Sequence, residues 1–287
     1  MTAVDAAFKE AWKRFQTANI DSARIDARVL LGFVLGGGAE QVLAQSHRDL
    51  SDEEAVLFEN LVQRREGLEP VSQILSVREF WSLDFKVTPA TLTPRPDSET
   101  IVEAALACVD KPPHRILDLG TGSGCLLLAL LSEWQDAQGF GIDACSDALA
   151  VAIENAATLG LADRATFAQA DWRTKHWYEN LGGAFDVVIA NPPYIPDGDI
   201  AGLDADVRDF EPRSALAGGV DGLDAYREII AELPKVLNLG GWVVFEVGIH
   251  QGAEVMKLLA DAGFGALEKR CDLAGVERAI VARRTGG

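Results

Sequence analysis

The chain of 287 residues lacks the long apolar run that a membrane-spanning helix requires. Its N-terminus, Met1 to Asp5, also lacks the basic region and apolar block of a secretion signal. We therefore expect a soluble, cytoplasmic protein that does not bind membranes. A hydrophobic content of 48% can fill the core of one large domain, or of a large and a small one.

Cysteine is scarce, and its spacing excludes the common zinc sites. Cys108, Cys125, Cys145 and Cys271 contain no C-x-x-C pair, and three of them lie in apolar segments. This pattern predicts buried free thiols, with neither a disulfide nor a metal site.

Basic clusters are absent, since no run of Lys or Arg is longer than the pairs Arg64-Arg65 and Arg283-Arg284. The formal net charge is −18. Residues 1–75 carry 12 of the 44 acidic and 8 of the 26 basic residues, so the balance is −4 there and −14 in the remainder. Nucleic-acid-binding proteins usually present a basic face, so we expect no direct nucleic-acid partner.

One acidic segment, residues 197–211, contains a single base, Arg208. Its acids are Asp197, Asp199, Asp204, Asp206, Asp209 and Glu211. Most acidic side chains only solvate a surface. This segment could instead receive a basic protein.

The first 70 residues predict a small helical domain. Phe8, Trp12 and Phe15 form one helical stripe, and Ile25, Val29 and Phe33 form a second. Ser51 to Glu54 has the spacing of a capping box before a third helix, and a shorter helix is expected over Glu40–Ala44. Such a domain could be a packing appendage or a substrate-docking module.

Residues 71–96 contain short β-like runs and predict a hairpin linker, and residues 97–287 form the main domain. From Arg115 onward, strands and helices alternate. The predicted strands are 115–119, 139–142, 165–168, 185–190, 242–247, 266–271 and 278–282, and the predicted helices are 124–134, 146–159, 225–236 and 251–262. This order indicates an α/β fold with a parallel, doubly wound sheet. No element is assigned between residues 97 and 114.

The turn Asn191-Pro192-Pro193-Tyr194 follows the apolar strand 185–190. Ligands of open α/β sheets bind beyond the carboxyl ends of the strands. Proline has no N–H and a fixed φ, so the backbone carbonyls of Asn191 and Pro192 can face outward. The turn is therefore a candidate acceptor pair for an NH2 group.

Two earlier strands predict a nucleoside site. The first runs into Gly120, Thr121, Gly122, Ser123 and Gly124, where glycines allow a ligand to approach the backbone. Asp143 ends the second and could accept hydrogen bonds from both ribose hydroxyls. A Walker lysine is missing, and Asp118, interpreted as an acidic loop residue at the site, disfavours a pyrophosphate but would tolerate a sulfonium cation.

A third strand is followed by Asp171 and Trp172, which could flank an adenine; taken alone Trp172 would be read as a core residue, but the two preceding strand ends favour the adenine site. Together the glycine turn, Asp143 and Trp172 resemble the S-adenosylmethionine site of Rossmann-like class I methyltransferases. The turn at 191–194 is similar to the [Asn/Asp/Ser]-Pro-Pro-[Tyr/Phe/Trp] motif of enzymes that methylate adenine N6, cytosine N4 or glutamine N5.

Further segments resemble the PrmC (HemK) family over nearly the whole chain. They are Arg78 to Trp81, Thr93 to Glu99, Phe210 to Leu216, Gly219 to Leu223 and Phe245 to Gly248. Departures are slight: Asp97 and Ser98 stand where the family pattern has Glu and Thr. The resemblance implies a monomer that methylates the side-chain N5 of the GGQ glutamine in peptide chain release factors and thereby modulates translation termination. S-Adenosylmethionine would be the donor and S-adenosylhomocysteine the product, with no metal.

The resemblance also implies roles for the turn. Asn191 and Pro192 would accept the N–H groups of the substrate glutamine, Tyr194 would pack on its amide plane, Pro193 would complete the substrate site and Asn191 would also border the cofactor. His47, His114, His176 and His250 are interpreted as surface or packing residues. Arg95 could reach the cofactor, the substrate loop or a salt-bridge partner, and Glu246 could be structural.

Three alternatives remain open from the sequence. An adenine or cytosine methyltransferase of nucleic acids would use the same turn on a flipped base, but the acidic charge and the lack of a basic insert disfavour it. A glutamine methyltransferase acting on a ribosomal protein differs only in its partner. A non-catalytic nucleoside-binding protein is disfavoured by the intact site residues.

Overall fold

The computed structural model describes residues 2–109 and 111–286. It divides into two compact units. The smaller comprises Met1–Ser76 with Asp204–Phe210, and the larger comprises Val77–Leu203 with Glu211–Gly287. None of the described helices is long and apolar enough to cross a membrane.

The smaller unit is helical. Its helices are α1 (Val4–Thr17), α2 (Ala23–Val34), α3 (Glu40–Ala44), α4 (Asp52–Glu66), α5 (Val71–Leu75) and, from the separate segment, α9 (Ala205–Arg208). The capping box is confirmed: Ser51 Oγ accepts from the Glu54 N–H at 3.1 Å, and Glu54 accepts from the Ser51 N–H at 2.8 Å. α3 has the predicted bounds, whereas α5 replaces the β-like run expected after Pro70.

The predicted apolar stripe of α2 was assigned to the wrong face. Ile25 and Phe33 are 67% and 47% exposed, while Ala27, Leu30 and Leu31 are buried. A buried polar pair lies on the inner face as well, where Arg65 of α4 donates to Asp26 of α2 at 2.8 Å. The polar Asp26 therefore faces inward because Arg65 satisfies its charge.

The larger unit begins with a hairpin of β1 (Val77–Phe80) and β2 (Leu83–Lys86), which are antiparallel. The helix α6 (Glu99–Cys108) follows, in the region left unassigned by the sequence pattern. Trp81 connects the two, since its backbone N–H donates to the Glu99 carboxylate at 2.9 Å.

A seven-stranded sheet forms the centre of the larger unit, in the order β5-β4-β3-β6-β7-β9-β8. Its strands are β3 (Arg115–Leu119), β4 (Gln138–Asp143), β5 (Ala165–Gln169), β6 (Phe185–Ala190), β7 (Leu237–Glu246), β8 (Phe264–Cys271) and β9 (Glu277–Arg284). The first five in spatial order are parallel. β9 runs antiparallel to β7 and β8, so the sheet is mixed at that edge rather than parallel throughout.

Helices cover both faces of the sheet. They are α7 (Cys125–Glu133), α8 (Ser146–Thr158), α10 (Asp224–Val236) and α11 (Gly252–Asp261), together with α6. Alternate strand residues enter opposite cores: Ile116 and Val187 pack with α6 and α7, whereas Leu117 and Val188 pack with α10 and α11. This is the doubly wound arrangement, and it leaves the carboxyl ends of β3 to β7 as the site-bearing edge.

Candidate active site

The turn after β3 can form only with glycine at several positions. Gly120, Gly122 and Gly124 have φ values of +74°, +54° and +81°, which favour glycine. A Cβ at Gly120 would lie 3.0 Å from the Trp172 ring, and one at Gly124 would lie 3.3 Å from Ala152. The turn therefore brings bare backbone against Trp172 on one side and α8 on the other.

Asp143 holds this turn in place. Its Oδ2 accepts from the Gly122 N–H and its Oδ1 from the Cys145 N–H, both at 2.9 Å. Each carboxylate oxygen has a second lone pair, so Asp143 can still accept from two further hydroxyls.

Asp118 does not have the place that the sequence suggested. It lies within β3, is 1% exposed and does not line the cavity described below. Thr121 Oγ1 donates to its Oδ2 at 2.6 Å, and its Oδ1 has no partner among the described residues. Burial raises the pKa of Asp118 to about 7, and the nearby charge of Asp143 adds to this. Asp118 supports the turn from below and cannot contact a ligand there directly.

A cavity of about 510 Å³ opens above the carboxyl ends of the strands. That volume is typical of a small-molecule site. The predicted residues that line it are Gly120, Thr121, Gly122, Ser123, Asp143, Trp172, Asn191 and Pro193, while Gly124, Pro192 and Tyr194 are not part of its lining. The ends of β3, β4, β5 and β6 thus contribute to one cavity.

Carboxylates line the same cavity. They belong to Asp143, Asp171, Asp224 and Glu228. Arg173 pairs with Asp171 at 2.7 Å, and burial raises the pKa of Glu228 above its ordinary value. Arg95, Arg173 and Arg213 line the cavity as well, so the four carboxylates leave it with only a small excess of negative charge.

The turn at 191–194 is fixed by backbone contacts. Ile195 forms a bridge with Ala217, and the Gly218 N–H donates to the Ile195 carbonyl at 2.8 Å. Gln251 Nε2 donates to the Tyr194 carbonyl at 2.9 Å. The Pro192 carbonyl accepts no hydrogen bond from residues 2–109 or 111–286, so it remains available to another donor.

A buried hydrogen-bond network lies behind the turn. Asn191 Nδ2 donates to Ser98 Oγ at 3.4 Å, and Ser98 Oγ donates to Glu246 Oε2 at 2.6 Å. Tyr194 Oη donates to Glu246 Oε1 at 3.3 Å. Glu246 is 2% exposed, and this burial raises the pKa of its carboxyl to about 7.

Comparison with known proteins identifies the family. Residues 6–75 match the PrmC N-terminal domain and residues 110–261 match a methyltransferase domain. A release factor glutamine methyltransferase from Rhodospirillum rubrum is 46% identical over 96% of this chain and 82% of its own. One from Bradyrhizobium diazoefficiens is 41% identical over 98% and 95%.

The chain belongs to the release factor glutamine methyltransferase family. Its fold is shared more widely: the hMettl16 catalytic domain superposes with a TM-score of 0.59 over 82% of this chain and 83% of that one, at 16% identity. The predicted family, the Rossmann-like methyltransferase fold and the identification as an enzyme are confirmed.

Several features of this methyltransferase were not apparent from its sequence. Gln251 and Ser98 contact the 191–194 turn from segments far along the chain. Arg95 pairs with the buried Glu211 at 2.7 Å and also lines the cavity. Glu211 therefore neutralises an arginine and is not part of an exposed acidic surface. Each of these contacts joins residues that are far apart in the sequence, so the structure is needed to see them.

The histidines lie away from the cavity, whereas Cys125 and Cys145 are among its lining residues. All four histidines are exposed and none lines the cavity, as expected for surface residues. The cysteines form no disulfide among the described residues, but Cys108, Cys125 and Cys145 are half-buried and Cys271 is exposed, so the prediction of buried thiols was wrong. The described residues contain no cluster of three or more potential metal ligands.

The residues present fit S-adenosylmethionine. The absence of a Cβ at Gly120 leaves backbone exposed to the cavity beside the Trp172 ring, as a close-packed nucleoside requires. Asp143 retains acceptor capacity for ribose hydroxyls.

Proposed function

We propose that this enzyme transfers a methyl group from S-adenosylmethionine to the side-chain N5 of the GGQ glutamine in peptide chain release factors. The observation that carries the proposal is the placement of Asn191 in the cavity wall, beside a Pro192 carbonyl that has no partner among the described residues. The names of the relatives support the choice of substrate.

On this proposal the cofactor is held by three strand ends. Asp143 accepts from the ribose hydroxyls, the Trp172 ring packs on the adenine, and the turn from Gly120 to Gly124 admits the nucleoside close to the backbone. When bound, S-adenosylmethionine supplies an electrophilic methyl group on a sulfonium centre. Four carboxylates and three arginines in the lining leave a small excess of negative charge, which tolerates a cationic ligand.

Orientation is the main catalytic contribution of the protein. A primary amide nitrogen is a poor nucleophile because its lone pair is delocalised into the carbonyl. Asn191 Oδ1 and the Pro192 carbonyl accept its two N–H bonds, and Tyr194 packs against its plane. Holding reactants in a near-attack geometry can lower a barrier by ~7–11 kcal/mol. Carbonyl dipoles also stabilise the positive charge that develops on nitrogen.

No strong general base is needed for this reaction. The methylated amide nitrogen is cationic and acidic, so it loses its proton readily. The exposed positions of all four histidines agree with a mechanism that uses none of them.

The roles of the turn are tested by Asn191→Ala. We expect the variant still to bind S-adenosylmethionine measurably, by calorimetry, but to lose most methyl transfer to a release factor. Asn180→Ala removes an exposed amide outside the cavity and is the matched control. Turnover of Asn191→Ala near the wild-type rate would show that the amide does not position the substrate.

A further inference from the structure

The buried carboxylate of Glu246 is linked to both ends of the 191–194 turn, directly to Tyr194 and through Ser98 to Asn191. Glu246 ends β7, and the neighbouring pair Ala190 and Phe245 places it beside the start of the turn. One oxygen accepts from Ser98 at 2.6 Å and the other from Tyr194 at 3.3 Å. Its backbone carbonyl accepts from Tyr226 Oη at 2.6 Å, which fixes the position of the main chain.

The direction of these hydrogen bonds determines how the Asn191 amide is turned. An ionised carboxylate can only accept, so the single Ser98 proton is directed to Glu246. Ser98 Oγ then presents only lone pairs to Asn191, and the Asn191 NH2 group turns toward it at 3.4 Å. Oδ1, the other branch of the same amide, is left as the acceptor for a ligand.

We propose that Glu246 and Ser98 are positioning residues that set the orientation of the Asn191 amide, so that its oxygen rather than its nitrogen faces the substrate. This inference rests on the proposed function, since only an acceptor at this position can bind the NH2 group of a glutamine. Glu246 also positions the phenol of Tyr194. Glu246 does not line the cavity, and Ser98, at the cavity wall, acts on the substrate through Asn191.

The rate of methyl transfer should therefore depend on whether Glu246 is ionised. A protonated Glu246 can donate to Ser98, which frees the Ser98 proton for Asn191 Oδ1 and stabilises the reversed amide. The reversed amide directs N–H groups at the substrate N–H groups, which weakens productive binding.

The groups around Glu246 set the pH at which this occurs. Burial raises the pKa of its carboxyl to about 7, hydrogen bonds from Ser98 and Tyr194 and the charge of Arg278 oppose that rise, and Asp97 adds to it. Arg278 is itself paired with Asp97 at 2.7 Å and with Asp272 at 3.2 Å. Burial also raises the pKa of Cys125 to about 12 and the pKa of Tyr226 above its ordinary value, so both of these neighbours stay neutral. Because the ionised form is the active one, kcat should fall as the pH decreases through about 7.

Four variants test the proposal, each assayed for methyl transfer to a purified release factor and for cofactor binding. Ser98→Ala should lower kcat by roughly 10- to 100-fold with little change in cofactor affinity. Ser98→Thr keeps the hydroxyl and should recover most of that loss. Glu246→Gln should lower kcat and abolish the decline below pH 7 that the wild type shows. Ser132→Ala removes a hydroxyl that bonds only a backbone carbonyl on α7, and it controls for general loss of a serine.

Circular dichroism melting of each variant separates these effects from unfolding. A kcat for Ser98→Ala within about twofold of the wild type, or a Glu246→Gln profile with the same acid limb as the wild type, would overturn the positioning role. Failure of the function itself has a different signature, because wild-type protein would then transfer no methyl group to the release factor at any pH.

Discussion

At the residue scale, two aspartates that occupy similar positions in the sequence have different places in the structure. Asp118 and Asp143 both lie at or near the end of a buried strand. Asp143 is the last residue of β4 and reaches the cavity, whereas Asp118 precedes the last residue of β3 and is buried beneath the turn. Successive residues of a strand point to opposite faces of the sheet. The sequence alone therefore does not show which of the two carboxylates reaches the cavity.

The glycine requirement of the turn gives a prediction at this scale. Gly120→Ala should weaken S-adenosylmethionine binding by roughly 10- to 100-fold, because a Cβ there meets the Trp172 ring and overpacks the site. Gly160→Ala is the matched control: Gly160 has a similar φ of +69° but has open space at its Cβ position. Calorimetry measures both. Equal dissociation constants for the two variants would show that the contact with Trp172 does not shape the site.

At the element scale, the sequence predicted strands better than helix faces. β3 and β6 have the predicted bounds because each is a compact apolar run next to a turn. α6 was not predicted, since its apolar residues show no clear polar face, and it is buried at Ile101, Val102 and Ala105. The buried side of α2 was wrongly assigned because the apolar stripe there faces outward and Asp26 faces inward.

The ion pair between Asp26 of α2 and Arg65 of α4 allows a test of which face of α2 is buried. Asp26→Asn should destabilise the helical unit by about 3 kcal/mol, because Arg65 would remain buried with its charge unpaired. Hydrogen exchange of the α2 and α4 amides in the full chain measures this locally. Asp5→Asn breaks the exposed pair with Lys9 and should cost less than about 1 kcal/mol. Equal effects of the two substitutions would mean that the inner face of α2 is not held by this pair.

At the scale of the whole molecule, alternation of strands and helices was enough to predict a doubly wound fold. It did not predict that β9 runs antiparallel to β7 and β8, although the connection between β8 and β9 is too short for a parallel crossover and already favours a hairpin. The turn at 191–194 and the glycine turn could be found from sequence, since each is a continuous segment at a strand end. The network of Ser98, Glu246 and Gln251 could not, because its members are brought to the turn only by folding.

The substrate is the central claim at this scale, and it has a direct measurement. Purified protein is incubated with labelled S-adenosylmethionine and a purified release factor, in parallel with nucleic acid, and the modified residue is mapped by mass spectrometry. A release factor with its GGQ glutamine replaced by alanine is the control. We predict one methyl group on the side-chain nitrogen of that glutamine and none on the control. Label on nucleic acid, or on the control factor to the same extent, would contradict the proposed function.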